Sequence, residues 1–454
     1  MRPLVSFLLL PVFAAGCAVG PKYQRPKTVP PANFRLLQEP TASSIADQAW
    51  WQLFQDEELQ KLIRTALQNN YDLRIAAVRV EQARATARIS AAPLYPQVDI
   101  NGALSRDKTA GFPPIVSASL APQLSWEIDF WGRLRSERAA GRYDLLATEE
   151  GRQGVVTGLV AEVAQNYFLL RELDLQLQIA HDTVGTRKST LDLFNKLKLA
   201  GVNSGLDIAQ AEADYAAAEA VVPDLERQIV QEENSLRLLL GQVPGEVPRG
   251  KLLTDQYLPP EVPAGLPSDL LERRPDIRQA EASLRAANSR VGVARADFFP
   301  RISLTGLFGV ASDQLTGLSG GTGGVYSVGG GLTAPLFEGG RIRAGYQLAL
   351  QNWEESKVNY EKSVQTSFRE VADALVQYQK LRELRVVQER QVDALSRSLH
   401  LSSIRYSGGL SSYLEVLDSQ RGLFNAQIAL AQTRGGQLLA LVELYRALGG
   451  GWRQ

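Results

Sequence analysis

Cysteine, histidine and methionine are scarce in this chain of 454 residues, which has one Cys, two His and one Met. The single cysteine, Cys17, excludes an internal disulfide. The two histidines, His181 and His400, are isolated, so no Cys/His cluster is available to hold zinc or copper. They are also a poor source of a general base for a nucleophile. We therefore expect no catalytic residues, no metal site and no enzymatic activity.

An excess of charge of either sign is also missing, because 49 Lys and Arg residues balance 49 Asp and Glu residues. A neutral chain gives no electrostatic reason to expect nucleic acid as a partner. Hydrophobic residues make up 44% of the chain and charged residues 22%. These proportions are ordinary for a folded protein and do not fit disorder over the whole chain.

The N-terminus has the pattern of a signal peptide over residues 1–16. Arg2 precedes an apolar stretch, "LVSFLLLPVFAAG" at 4–16, which is too short to span a bilayer. It leads into "AAGC", which resembles a bacterial lipobox with Ala14 where a leucine is usual. We predict that Cys17 becomes the lipidated first residue of the mature chain, and we expect no other cofactor. The alternative is an ordinary signal peptide followed by an incidental cysteine.

The chain from about residue 50 consists of two copies of one unit. Pro96 and Gly102 recur as Pro300 and Gly306, 204 residues later. Beyond them "LSWEIDFWGRLR", from position 124, recurs as "LTAPLFEGGRIR", and "AGVNSGLDI", from position 200, matches "GGLSSYLEV", both 208 residues later. Such self-similarity indicates one supersecondary unit built twice. The predicted divisions are an extended N-terminal segment at 17–49, a first repeat at 50–240, a linker at 241–267 and a second repeat at 268–454.

Each repeat is predicted to contain two strands, because apolar and polar residues alternate there. In the first of these segments Val98, Ile100 and Leu104 share one face, whereas Asp99 and Asn101 share the other. Alternation of this kind is typical of a strand with one apolar and one polar face. Segments of about ten residues are long enough to cross a bilayer when tilted. The strands are expected at about 96–106, 117–130, 300–312 and 324–337.

The rest of each repeat is predicted to be helix of unusual length. No proline occurs at 133–199 or at 339–407. At 1.5 Å per residue each stretch could reach ~100 Å. Apolar residues recur there at spacings of three and four, which is a coiled-coil seam. Shorter helices are expected at about 205–240 and 411–447, with a kink at Pro223. The seam positions include Leu159, Val163, Tyr167, Leu170, Leu173, Leu177, Val364, Phe368, Val371, Leu375 and Tyr378.

Four bilayer-length strands cannot close a barrel within one chain. An open sheet edge in lipid leaves backbone groups unpaired, and known spanning barrels have eight strands or more. The strands must therefore be pooled between chains. Two chains supply eight strands and a barrel filled by side chains, whereas three supply twelve and a water-filled lumen, which suits the polar face. The same pooling gives the long amphipathic helices partners in a tube.

The motifs together resemble the outer membrane efflux factor family of the TolC/OprM type, in its NodT-like lipoprotein branch, over essentially the whole mature chain. The resemblance implies a homotrimer with a twelve-strand outer-membrane β-barrel that continues into a periplasmic α-helical barrel. It also implies a periplasmic adaptor and an inner-membrane transporter, usually of the RND class, as partners. The motifs are "CAVGPKYQRP" (17–26), "WWQLFQDEELQKLIRTALQNNYDLRIA" (50–76), "LLERRPDIRQAEASLRAAN" (270–288), "FFPRISLTGLFG" (298–309), "PLFEGGRIRA" (335–344) and "RYSGGLSSYLEVLDSQRGLFNAQ" (405–427).

The resemblance also implies which residues form the periplasmic aperture. Leu414 and Asp418 match the lining positions, and their spacing of four places them on one helix face. Glu415 matches a second acidic position found in some members. Around a three-fold axis these residues become stacked rings, and acidic rings select cations. Arg421 lies one turn beyond Asp418, where it could pair with Asp418 or with another neighbour.

A gate tie is also implied by resemblance, between Asp207 of the first repeat and Tyr406 of the second. Such a tie would hold the closed tip until a partner releases it. Ser411 stands where some relatives place an arginine that helps to lock the tip, so that second link is missing.

Two other functions remain open at this point. The chain could be the exit duct of a type I protein secretion system, which keeps the channel and changes the partner. It could also be a structural periplasmic coiled-coil lipoprotein, although a spacer needs no strands with a lipid-facing side. By family resemblance the lipid anchor favours efflux of drugs or other small molecules. The near absence of methionine disfavours copper or silver as cargo.

Overall fold

The computed structural model describes residues 19–28, 30, 44–199, 204–259, 262–263, 267–314 and 323–450. The predicted signal peptide and Cys17 lie outside these ranges. The helices are α1 (Trp50–Leu53), α2 (Glu57–Asn69), α3 (Tyr71–Ala91), α4 (Arg133–Leu199), α5 (Gly205–Glu219), α6 (Val221–Leu239), α7 (Leu270–Arg273), α8 (Pro275–Ala296), α9 (Arg341–Ser407) and α10 (Tyr413–Ala447). The strands are β1 (Gln97–Asp107), β2 (Ile115–Ile128), β3 (Arg301–Ser312) and β4 (Gly324–Thr333). The predicted mainly helical chain with four strands is confirmed.

The four strands form one antiparallel sheet in the order β1-β2-β3-β4. Its register brings Gly102 opposite Leu120, Leu124 opposite Gly306, and Gly306 opposite Val328. Residues that face each other across a ladder point to the same side of the sheet, so most of the large apolar residues of the four strands share one face. An exception is Leu307, which lies opposite Gln123 and Ser327 on the polar face. The predicted separation of an apolar face from a polar face is therefore confirmed. Within the described part of the chain, the outer edges of β1 and β4 have no strand beside them.

The residues cluster into two compact units. The first contains the sheet, the stretches 78–151 and 276–363, and the N-terminal segment up to Thr28. Within it α8 packs on α4 through an ion pair of 2.6 Å between Arg278 and Glu150.

The N-terminal segment of the first unit lies along α8. The Asn288 side chain donates to the Pro21 carbonyl oxygen at 3.0 Å. The Tyr23 hydroxyl donates to Glu281 at 3.1 Å, and Arg25 forms an ion pair with the same carboxylate. We call residues 19–28 the strap. It begins at Val19, whose backbone N–H donates to the Trp131 carbonyl oxygen at 3.2 Å.

The second unit contains 29–77, 152–275 and 364–454. The predicted seam lies in its core: Val163, Tyr167 and Leu170 are fully buried on α4, as is Val371 on α9. Leu177 and Phe368 are partly buried and pack against the same core. The α4 and α9 helices contribute residues to both units and have 67 residues each.

The linker at 241–267 is fastened to the second unit by a buried carboxylate. Asp56 caps the N-terminus of α2, where it accepts from the Glu58 backbone N–H at 3.0 Å. Its other oxygen accepts from the Tyr167 hydroxyl and the Gln256 side chain at 2.8 Å each, and from the Lys251 backbone N–H at 2.9 Å. A carboxylate with this many donors is fully satisfied, so its burial is compatible with a stable fold.

Two boundaries differ from the sequence prediction. One kinked helix was expected at about 205–240, with the kink at Pro223. The structure instead has two helices, α5 and α6, which meet at Ala220. Pro223 lacks an N–H and its ring opposes the carbonyl of Glu219, so α5 ends there and Pro223 sits in the first turn of α6, where it is tolerated. Strand β4 ends at Thr333 because β3 begins at its partner, Arg301. Among the helices described here, none is both long and apolar enough to cross a membrane.

Candidate functional site

The predicted aperture residues lie where α9 turns into α10. Helix α9 ends in a Schellman motif: the Gly409 N–H donates to the Tyr406 carbonyl and the Leu410 N–H to the Arg405 carbonyl, at 2.9 Å each. Gly409 has a φ of +72°, which suits glycine. Ser412 then occupies the N-cap position of α10. The local sequence "SGGLSS" therefore makes a tight reversal that presents the start of α10 beside the end of α9.

The first turns of α10 separate buried aromatic and aliphatic residues from exposed ones. Tyr413, Val416 and Leu417 are buried. Leu414 is 59% exposed, and Glu415 and Asp418 are also exposed. The helix thus places the three predicted lining residues on its uncovered side, as their spacing requires. Their role as an aperture stays a prediction.

Glu415 and Asp418 line a groove of about 550 Å³ between α9 and α10. Arg397 and Arg405 of α9 line the same groove. Arg405 Nε lies 3.3 Å from Glu415 Oε2, so this pair bridges the turn. The Asp418 carboxylate is not in an ion pair with any described residue.

Arg421 reaches the first repeat. Its Nε lies 2.9 Å from Asp214 Oδ1 on α5. The other oxygen of Asp214 lies 2.9 Å from Arg187 Nε on α4, and the side chains of Asp214 and Arg187 are 2% and 5% exposed. Burial lowers the pKa of Arg187 while Asp214 opposes that shift, and a guanidinium stays charged in proteins. One buried carboxylate thus connects α4, α5 and α10.

Three aromatic rings pack beside this cluster. The Phe194 and Tyr413 centroids are 4.6 Å apart at 71°, an edge-to-face pair. Tyr406 completes the group at 5.9 Å from Phe194 and 5.7 Å from Tyr413. Burial raises the pKa of Tyr413 to about 12, so its hydroxyl stays protonated.

The structure does not join Asp207 to Tyr406 by a hydrogen bond. The Asp207 carboxylate instead accepts from the Ser204 backbone N–H at 3.1 Å and from its hydroxyl at 2.7 Å. The Ser204 hydroxyl accepts in turn from the Asp207 N–H at 3.2 Å. This capping box closes the N-terminus of α5. A tie between Asp207 and Tyr406 stays a prediction.

Sequence reasoning missed Arg187, Asp214 and Arg405, because the packing of one helix on another, and no local motif, brings their partners to them. It also missed Leu206, which is 66% exposed at the start of α5. The sequence contained a signal for Leu206, because the repeat offset of 208 residues makes it the equivalent of Leu414 in the first repeat.

The chain matches one protein family over both repeats. The family model described as "Outer membrane efflux protein" matches residues 62–242 and 266–450. The cation efflux system protein CusC of Escherichia coli O6:H1 is 36% identical over 445 residues, which cover 97% of this chain and 96% of CusC. The probable efflux pump outer membrane protein TtgC of Pseudomonas putida is 36% identical over 466 residues, which cover 99% and 96%.

The fold is also that of a solved channel. The open state of the Neisseria gonorrhoeae MtrE outer membrane channel superposes with a TM-score of 0.89 at 32% identity, over 96% of this chain and 99% of MtrE. Sequence and fold agree over nearly the full length of both chains. The chain belongs to the outer membrane efflux protein family.

Proposed function

We propose that the protein is the outer membrane channel of a tripartite efflux system, which passively conducts small molecules. A periplasmic adaptor and an inner-membrane pump, expected to be an RND transporter, would deliver them. The observation that carries the proposal is the sheet with one apolar face and two open edges, which continues into helices of 67 residues. Membership of a family whose relatives are named as efflux pump outer membrane proteins supports it.

The open sheet edges are the reason to propose an assembly of several copies. An apolar face exposes Ile100, Phe308, Tyr326 and Val328, each more than 70% exposed in the single chain. Lipid is the solvent that such a face needs, and lipid tolerates no unpaired strand edge. Joining β4 of one copy to β1 of the next removes both edges.

The internal repeat fixes the register of this joint. Strand β4 corresponds to β2 at an offset of 208 residues, and β1 corresponds to β3 at an offset of 204. Within the chain Leu124 of β2 lies opposite Gly306 of β3. The equivalent joint between copies therefore places Leu332 opposite Gly102 of the partner.

The same register explains the end of β4. Ile128 lies opposite Ile302 within the chain, and its repeat equivalent is Leu336 opposite Val98. Leu336 lies beyond the end of β4 and is 97% exposed. In the proposed assembly it gains a strand partner and joins the lipid-facing side. Three copies give twelve strands and an open lumen lined by the polar face. Two copies would give only eight strands, and side chains would fill the interior of such a barrel.

Aromatic side chains indicate where the sheet meets the membrane surface. At the end of the sheet that joins the helices, Trp131 stacks on Phe299 at 4.6 Å and donates to the Pro300 carbonyl at 2.8 Å. Trp126 donates to the Leu94 carbonyl at 3.1 Å. Tryptophans with one polar partner are typical of the interface between lipid and water.

The strap supports the predicted lipid on Cys17. It starts at Val19, bonded to Trp131 in this aromatic zone, and two residues of chain span at most ~7 Å. A diacyl group on Cys17 would enter the periplasmic leaflet of the outer membrane without unfolding the strap. The anchor would then add lipid affinity to the barrel.

For the aperture we keep the predicted rings of Leu414, Glu415 and Asp418. Their exposure on α10 and the packing of the same turn against α9 support a constriction made by three copies. Such a constriction conducts and involves no chemical step. In the tie, Tyr406 would donate to Asp207 Oδ1, because the capping box uses only Oδ2 of this carboxylate.

Single-channel conductance in a planar bilayer tests the proposal. We expect discrete steps from the wild-type protein, and larger steps from Asp207→Ala/Tyr406→Phe. The single variant Ser204→Ala is the control, because it opens the capping box and leaves both Asp207 and Tyr406 in place. Equal steps from the wild type and the double variant would reject the tie and keep the channel. If folded, trimeric protein gives no conductance steps, the channel proposal is wrong and the structural coiled-coil lipoprotein remains as the alternative.

A further inference from the structure

The charged residues at the turn from α9 to α10 lead to an inference about the ion selectivity of the proposed aperture. On acid count alone, three copies would place three Glu415 and three Asp418 carboxylates at the proposed aperture. The structure gives these two acids different surroundings. Glu415 has an arginine 3.3 Å away, whereas Asp418 is not in an ion pair within the described chain.

We propose that Arg405 sets the ion selectivity of the aperture, because it compensates Glu415 and leaves Asp418 as the acid that selects cations. The inference rests on the proposed aperture and adds a residue that determines its specificity. It makes Arg405 a charge-compensating residue on α9, ten positions before its acidic partner on α10.

The backbone holds the two groups of this pair in place. Arg405 supplies the carbonyl that closes the Schellman motif, so its Cα position is fixed by the turn. Glu415 occupies the third position of α10, where an acidic side chain often closes a capping box with the N-cap serine. Ser412 makes no such bond with its side chain, and Glu415 points to Arg405 instead.

Compensation of charge does not require a strong bond. The Arg405 and Glu415 side chains are 54% and 48% exposed, and exposed pairs contribute little to stability. An ion in the aperture nevertheless experiences opposite charges a few ångströms apart as a dipole, whose field falls off much faster than that of one charge. In physiological salt the Debye length is about 8 Å, so dissolved ions weaken the field of this dipole further.

The other arginines nearby do not take the place of Arg405. Arg421 is committed to Asp214, together with the buried Arg187. Arg397 lines the groove but forms no ion pair with Glu415 or Asp418. Asp418 therefore keeps its charge exposed to the groove, and the acidic ring has the strength of one carboxylate per copy.

Reversal potentials in a KCl gradient test the inference on the reconstituted protein. Arg405→Gln should unmask Glu415 and raise the cation-to-anion permeability ratio on the order of threefold. Glu415→Gln should unmask Arg405 and lower the ratio by a similar factor. The double variant should return to the wild-type ratio. Arg390→Gln, an exposed arginine four turns earlier on α9 and outside the groove, is the matched control and should change nothing.

Asp418→Asn separates this inference from the aperture itself. A lower ratio in Asp418→Asn, together with the opposite shifts above, supports both. If Asp418→Asn and Glu415→Gln lower the ratio equally and Arg405→Gln has no effect, Glu415 is uncompensated and the role of Arg405 is wrong. If Asp418→Asn leaves the ratio unchanged, the proposed aperture itself is wrong.

Discussion

The two repeats build the same helix tip with different chemistry. In the first, Ser204 and Asp207 close a capping box, and Asp214 is buried between two arginines. In the second, the equivalent Ser412 makes no side-chain cap bond, and Glu415 pairs with Arg405 across the turn. In the first tip one acid caps its own helix and the other joins three helices, whereas the second tip leaves its acids exposed beside a groove.

The helices behind the tips differ in the same direction. In the first repeat Pro223 divides the helical stretch that follows α4 into α5 and α6. Its equivalent, Ala431, lies within the uninterrupted α10 of 35 residues. Glu172 of α4 is buried, whereas its equivalent on α9, Lys380, pairs at the surface with Glu383. Duplication has kept the backbone plan and allowed each copy its own polar interior. Of the two helix tips, the first is thus the one that contains a buried ion pair among the described residues.

The largest effect is expected from Asp214→Ala, which breaks the first tip. It leaves Arg187 buried without a counter-charge, which costs about 3–5 kcal/mol of unfolding free energy. Thermal unfolding in detergent measures the loss. Glu212→Ala, an exposed acid on the same helix, is the control and should stay within about 0.5 kcal/mol. The double change Arg187→Met/Asp214→Leu should recover most of the stability. Equal losses of unfolding free energy in Asp214→Ala and Glu212→Ala would contradict the account.

A pH-dependent effect is expected from Glu172, which has no equivalent acid in the second repeat. Burial raises its pKa from 4.5 to about 7, against the opposing hydrogen bond from Gln176. The unfolded chain therefore ionises first, and stability is lost as the pH rises from about 4.5 to 7.

The variant Glu172→Gln stays neutral, so it should exceed the wild type by up to about 3 kcal/mol at pH 8 and match it near pH 4. Melting temperatures across this range measure the difference. The surface control Lys380→Gln should give no such pH dependence. A constant gap between Glu172→Gln and the wild type at all pH values would show that folding does not raise the pKa of Glu172.

The smallest effect compares the two N-caps directly. Ser204→Ala should cost about 1 kcal/mol, because it opens the capping box of α5. Ser412→Ala should cost almost nothing, since that side chain makes no cap bond. Hydrogen exchange in the first turns of α5 and α10 reports each cap separately. Equal acceleration in both variants would mean that the two tips are capped alike.

Local patterns in the sequence were enough for the strands and the helix seams. Alternation located β1 to β4 within a few residues and assigned Val98 and Ile100 to the apolar face. Spacing of three and four identified the buried Tyr167 and Val371, because the helix period alone decides which residues share a face.

Partners between distant helices could not be derived this way. The pairing of Arg421 with Asp214 spans 207 residues and depends on how α5 and α10 pack. The capping box of Asp207 was readable, because Ser-x-x-Asp before a helix is its signature. The same signature at Ser412 and Glu415 fails, because Arg405 competes for the carboxylate. A local motif therefore predicts a bond only when no group on a neighbouring helix competes for the same side chain.

Cysteine cross-linking across the proposed strand joint tests the central claim, that equivalent repeats of neighbouring copies complete one barrel. The variant is Gly102→Cys/Leu332→Cys, whose two sites should lie about 5 Å apart between copies. Within one chain two strands separate β1 from β4, so any bridge must join copies. The control, Gly102→Cys/Val328→Cys, moves one site four residues, or about 13 Å, along β4. We predict a covalent trimer from the first variant and little product from the second. Covalent dimers alone, or equal bridging in both variants, would contradict the account.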